Sequence, residues 1–556
     1  MGRIGLVDKS DGSFRLFTAA CRCVEHGLAD EDAVRCIREY AGKHPFPREY
    51  GDAEIIDRLR DAEQRCERGS ALEVDEEGLV KLGNRDPATG RLVLSARRTL
   101  PTAQAFVREF CTHPDGATMR SYAGILMEWR DNHYVPVEDG AVRNRLQPWL
   151  HSALRYIHDK RTGESILVDF EGNPTTVSAA LETIRNYLHL PTSVPMPVWL
   201  IGPDSMAAGP DDAPDPREIL SCRTLNLHIP TGTILPATPA LFTTSALDFD
   251  FSADAPTPVN WLAFLNQLWG GDAQSIELLQ DWFGYTLTAD TSQHKVLLLV
   301  GPRRSGKGTI ARVLGRLVGQ SNVVGPTTSS LAGTFGLQPL IGKSLAIVSD
   351  ARFSGDNIQT VIERLLCVSG EDSLTIDRKH MPAVTMRLPT RFMFLTNELP
   401  RLTDSSGALA GRFLVLHLTR SFFGKEDPGL TDKLLAELPG ILLWALQGWL
   451  RLRERGRFAQ PASADQALHD LQDLSSPVGA FVRECCVVAP GKQADARTLY
   501  GRWKSFCEDM GREHPGTIQS FARDLHAAVP GLVTRFVRDG SGRARIYEGI
   551  GLVFGA

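Results

Sequence analysis

The segment His294 to Arg312, HKVLLLVGPRRSGKGTIAR, restricts the fold of this chain more than any other stretch. An apolar run, Val296 to Val300, stops at Gly301 and Pro302, a glycine-bearing turn follows, and an amphipathic stretch begins near Lys307. That pattern predicts strand, loop, helix. Such a turn aims consecutive N–H groups and a helix N-terminus at one point, which suits a polyphosphate, while a lysine at the turn reaches the outer phosphates. Gly301, Gly306 and Lys307 fit the spacing G-x-x-x-x-G-K, which makes Gly301, Arg304, Ser305, Gly306, Lys307, Gly308 and Thr309 the candidate phosphate-binding residues. Where the strict pattern has Ser or Thr the chain has Gly308, with Thr309 one place later as the candidate magnesium ligand. Some nucleotide kinases also read GKGT, so a small-molecule kinase stands as an alternative.

At 556 residues the chain exceeds one hydrophobic core, and the usual domain size gives roughly three or four domains. A hydrophobic content of 42% with 23% charged residues fits a soluble globular protein. No apolar run reaches the ~20 residues of a membrane span. The opening MGRIGLVDKSDGS lacks the apolar core of a signal peptide, so the expected location is cytoplasmic. Ten cysteines include no C-x-x-C pair, which argues against a zinc site or a disulfide framework. The net charge of −5 does not advertise nucleic acid, but a ring can confine its positive charge to a pore.

Along the chain, residues 1–75 read as a small helical domain, with a stripe of Leu16, Ala19, Ala20, Cys23 and Val24 followed by Ala33, Val34, Ile37 and Tyr40. This region has no acidic pair in the strand context that a primase needs for its metal ions. Residues 76–254 read as mixed α and β. They open on a charged, turn-rich linker or loose hairpin, then give a helix at Ala103 to Cys111, strands at Gly124 to Trp129 and His133 to Val137, and a helix from Val142 to Ile157. GPDSMAAGPDDAPDPR, from Gly202 to Arg217, reads as a surface loop. Residues 255–290 carry two helical stripes into the P-loop strand, and 291–455 form the core, closed by a helical stretch from Leu430 to Leu452.

Two further apolar runs in the core end in chemistry. Leu345 to Val348 leads to Asp350, a carboxylate at the C-terminal edge of a predicted parallel strand, where ligands gather in open α/β sheets. An acid there can hold the magnesium of a nucleotide. Its neighbour is Ala351 rather than a second acid, which leaves the catalytic base unassigned, with Glu371 and Asp372 as the acids to weigh. Phe392 to Leu395 leads to Asn397, a neutral amide able to orient the attacking water. Arg412 precedes the apolar run Leu414 to Leu418 and is either an ordinary exposed residue or a finger reaching a neighbour's nucleotide.

The order GPRRSGKGT, LAIVSD, RFMFLTN and AGRF resembles superfamily 3 helicases, specifically the primase–helicase group of phages, plasmids and large DNA viruses. WLAFLNQLWGGDAQSIELLQDWFGYTL is similar to the segment before the P-loop in that group, and the similarity covers most of residues 100 to 550. The resemblance implies an α/β, AAA+-type P-loop ATPase core in a homo-hexameric ring that uses ATP and magnesium to move along single-stranded and forked DNA. It assigns Lys307 and Thr309 to Walker A, Asp350 to Walker B, Asn397 to the sensor and Arg412 to the arginine finger. Whether a primase and other replication proteins partner it from separate chains stays open. Between Asp350 and Asn397 the family has a pore hairpin, and here Leu374 to Ile376 and Ala383 to Met386 flank a cationic tip of Arg378, Lys379 and His380.

Residues 477–556 predict three helices, at Val478 to Cys485, Ala496 to Met510 and Ile518 to Ala528, followed by a hairpin, an order that suits a winged helix. Arg535, Arg538, Arg543 and Arg545 fall on the wing as a modest DNA-binding footprint. A protein that uses ATP only to assemble at an origin, without unwinding, needs the same site and stays open beside the helicase.

Overall fold

The computed structural model describes residues 12–46, 48–66, 68, 79–161, 164–200, 213–351, 358–400, 409–511, 514–539 and 542–553. The chain forms two compact units interleaved in sequence: residues 1–112 with 137–189, and residues 113–136 with 190–556.

In the first unit, helices Gly12–Glu25, Asp30–Lys43 and Asp52–Glu63 bury Leu16, Ala20, Val24, Ile37 and Leu59 in one cluster, the stripe that their three-to-four spacing implies. The loose hairpin closes through an antiparallel bridge between Arg85 and Leu92. Helices Thr99–Phe110, Asp139–His151 and Pro174–Tyr187 follow in the same unit. The second of these does not run to Ile157. It stops at His151, and Leu154–His158 becomes a strand because its alternating residues pair with Ser165–Asp169, a tertiary partner that overrides a weak helical pattern.

The second unit begins with two antiparallel meanders, Met119–Tyr122 with Ile125–Arg130 and His133–Pro136, and Ile219–Ser221 with Leu225–His228 and Thr233–Pro236. Most of the expected surface loop, residues 201–212, lies outside the described residues. Helices α1 (Val259–Trp269) and α2 (Ala273–Leu287) lead to strand β1 (Val296–Val300) and helix α3 (Lys307–Leu317). Then come β2 (Val323–Val324), β3 (Leu345–Val348), α4 (Ile358–Ser369), a hairpin of β4 (Leu374–Arg378) and β5 (Met381–Met386), β6 (Arg391–Thr396) and β7 (Phe413–His417).

Strands β1, β2, β3, β6 and β7 make one parallel sheet in the order β2-β3-β6-β1-β7. Every residue of β1 and β6 is buried, which is why Val296 to Val300 and Phe392 to Leu395 read as unbroken apolar runs. Leu297 and Leu299 enter one core cluster, with Trp282 and Trp449, while Val296, Leu298 and Val300 enter another, with Leu365 and Phe394.

The helical stretch that closes the core is two helices, Leu430–Leu435 and α5 (Leu438–Arg455), separated where Pro439 enters the first turn of α5. α5 packs on α2 at backbone contact. A Cβ at Gly284 would come 2.4 Å from the Ala445 carbonyl oxygen, and one at Gly448 would come 2.3 Å from that of Gln280. The same contact buries Asp281, which ion-pairs with Arg451 at 2.5 Å and with Arg455. Beyond helix Asp465–Ser475, the chain forms α6 (Pro477–Cys485), β8 (Cys486–Asp495), α7 (Ala496–Asp509), α8 (Ile518–Ala528), β9 (Val533–Asp539) and β10 (Gly542–Leu552), with a sheet in the order β8-β10-β9. The three helices and the hairpin match the sequence expectation, and β8 is the addition. Pro490 and Gly491 disguise it, and a register shift between Val488 and Gln493 accommodates them.

Candidate active site

A cleft of about 970 Å³ opens at the carboxyl edge of the sheet, where β1, β3 and β6 end. Gly301 leaves β1 packed so tightly on Leu418 that a Cβ would stand 2.5 Å from the Leu418 carbonyl oxygen, so only glycine passes. Arg304 and Gly306 take left-handed φ values of 60° and 91°, which curl the loop into the N-terminus of α3. Helix N–H groups without intrahelical partners therefore point at the cleft.

Lys307 is half-buried and uses its own loop as partner. Its Nζ donates to the carbonyl oxygens of Gly301 (2.5 Å) and Pro302 (2.8 Å), and lies 3.3 Å from Ser305 Oγ and 3.2 Å from Asn397 Oδ1. Burial pushes its ammonium below the usual lysine range, and the Asp350 carboxylate opposes that shift. Asp350 follows β3 with a left-handed φ of 50°, its carboxylate exposed to the cleft. Asn397 follows β6 directly. Thr309 sits in the first turn of α3, where its hydroxyl accepts from Arg312 at 3.2 Å.

Arg304, Ser305, Gly306, Lys307, Gly308, Thr309, Asp350 and Asn397 thus line one cleft, with Gly301 beneath them. Three charged lining residues, Arg303, Arg312 and Glu398, were not found from sequence. Arg312 was accessible through its helical spacing to Thr309; Arg303 occupies an unspecified position of the loop motif, and Glu398 comes just after the RFMFLTN motif. Glu371, weighed as a base, is elsewhere: it accepts from the Thr291 hydroxyl and lies 3.7 Å from His294, residues that precede β1 at the opposite edge of the sheet. Among the described residues, Glu398 is the acid that lines the cleft besides Asp350.

Arg412 also lies at the amino edge, next to the Phe413 that pairs with Val296. Its guanidinium donates to the Leu366 carbonyl (2.5 Å) and to Ser369 Oγ (2.7 Å), where a cation meets the C-terminal end of α4. The expected hairpin forms in β4 and β5, and its two-residue turn exposes Lys379 and His380. Arg378 does not belong to the exposed tip. It is 7% exposed and donates to the carbonyls of Pro382 (2.9 Å) and Ala123 (2.5 Å), turned inward beside a register shift between Ile376 and Arg378. On the C-terminal hairpin, Arg535 pairs with Glu548 at 2.9 Å and Arg545 covers the Phe536 ring; the side chains of Arg538 and Arg543 lie outside the described residues.

A family described as a family of unknown function, DUF5906, matches residues 299–412, from the end of β1 to Arg412. Among solved structures, the A form apo structure of the NrS-1 C terminal region is 14% identical, with a TM-score of 0.41, over 78% of this chain and 96% of that one. The apo structure of NrS-1 C terminal region (305-718) gives 14%, a TM-score of 0.40 and the same coverage. No helix among the described residues is long and apolar enough to cross a membrane.

Proposed function

We propose that this chain is an ATP-driven DNA helicase of the superfamily 3 type, working as a homo-hexameric ring on single-stranded and forked DNA during replication of a phage or mobile element in its host's cytoplasm. The observation that carries the reading is the convergence of Lys307, Asp350 and Asn397, from three strand ends of one parallel sheet, on a single cleft. The P-loop amides and Lys307 hold the phosphates, and Asn397 orients the attacking water. One carboxylate, Asp350, and one hydroxyl, Thr309, suit magnesium, which takes few protein oxygens and completes its shell with phosphate and water. Bound there, the ion neutralises phosphate charge. Lys379 and His380 on the hairpin grip the DNA backbone, the C-terminal module acts as a winged helix with Arg535 and Arg543 on its wing, and Arg412 serves the neighbouring subunit's nucleotide.

ATP turnover and strand displacement on a fork test the reading together. Wild-type protein is expected to hydrolyse ATP, faster with single-stranded DNA, and to displace the strand; Lys307→Ala and Asp350→Asn are expected to do neither. Unchanged turnover in both variants overturns the nucleotide site, whereas hydrolysis without displacement by the wild type leaves an ATP-dependent assembly protein.

A further inference from the structure

The turn after β7 occupies the flank of the P-loop away from the two strand-end residues. In the sheet, β6 and β3 lie on one side of β1 and β7 lies on the other. From β7 onward the chain is fastened to the loop: Leu418 N–H donates to Val300 O (2.8 Å), Ser421 Oγ to Arg303 O (2.8 Å) and Phe422 N–H to Arg304 O (2.9 Å), and Arg304 meets Glu426 at 3.4 Å. A bond from Lys425 N–H to Phe422 O (2.9 Å) closes the turn, with Gly424 at a φ of 75°. Phe423 stands in this turn at 79% exposure, above every other large apolar side chain among the described residues.

We infer that Phe423, on the turn fastened beside the cleft, stacks on the nucleobase of a nucleotide bound there, an assignment that rests on the nucleotide reading above. A triphosphate with its outer phosphates toward Asp350 and Asn397 extends its nucleoside the opposite way across the P-loop, which is the flank that the Phe423 turn occupies. An aromatic ring tethered to the loop that cradles the phosphates offers a π-face at that end. Covering the base with it removes apolar area of both from water. Stacking tolerates any base, so the ligand class is a nucleoside triphosphate, recognised by its ring system rather than by hydrogen bonds to one base edge.

Calorimetric titration of the full chain with a non-hydrolysable ATP analogue, and separately with inorganic tripolyphosphate, tests this. Phe423→Ala is expected to weaken the ATP analogue by about tenfold or more, leave tripolyphosphate unchanged, and be rescued by Phe423→Tyr. Equal losses for both ligands would make the turn a mere support of the P-loop and overturn the assignment, as would no loss for either. Wild-type protein that takes up neither ligand overturns the nucleotide site itself.

Discussion

Lys307 shows how a single side chain can be prepared for a ligand by its own loop. Its ammonium is desolvated against the Gly301 and Pro302 carbonyls and held below the ordinary lysine range. A polyphosphate would supply full negative charge at the same point and raise that pKa again. The bound state then holds more protons than the free one, so nucleotide binding should take up a fraction of a proton at alkaline pH, and affinity should fall as pH rises through the free lysine's depressed pKa. Titrations in two buffers of different ionisation enthalpy measure this directly, and Lys307→Ala should abolish the uptake. Lys307, Gly301 and Asp350 were legible in the sequence because a loop motif and two strand ends fix their positions whatever the surroundings. Arg378 was not, because a register shift decides which way it faces. Nor was the bond of Arg412 to α4, made between residues that no local pattern connects.

At the scale of elements, backbone contact between α2 and α5 sets how the helices cover the sheet. Gly448→Ala would press a methyl group onto the Gln280 carbonyl, and overpacking of this kind typically costs about 1–3 kcal/mol; chemical denaturation should report the loss as a lower midpoint with unchanged slope. The hairpin divides its cations between two jobs. Removing Lys379 and His380 together should leave basal ATP turnover and the melting temperature as they are while abolishing DNA stimulation and unwinding. Arg378→Ala should instead lower the melting temperature, since it strips the Ala123 and Pro382 carbonyls of their donor. A normal fork-unwinding rate in the double variant would remove the hairpin from the DNA path. Sequence periodicity located both helices and both hairpin strands, because their apolar spacing is local. It failed at β8, whose Pro490 and Gly491 break the alternation that a strand normally shows and whose pairing is supplied by β10.

For the whole molecule, the placement of Arg412 away from its own cleft frames the test of assembly. Arg412→Ala should bind nucleotide yet lose on the order of 10³ or more in hydrolysis, the effect seen where an arginine finger is removed. Lys307→Ala has the complementary defect. Mixing the two should restore part of the turnover wherever a sound cleft meets a sound arginine, and dilution to monomers should abolish the recovery; a fully active Arg412→Ala would dismiss the shared site. The sheet order carries one more consequence, for the birth of the protein rather than its work. β1 is synthesised first among the strands of its sheet, yet its two neighbours are β6 and β7, so Leu297 waits for Met393 and Val296 for Phe413. Until translation has passed Thr396 the most apolar strand of the core has both edges bare, and one edge stays bare until His417, a state that invites pairing with other nascent chains. Fragments truncated before Arg391 should therefore aggregate on the ribosome or require a chaperone, whereas chains extending through Arg455 should be released soluble.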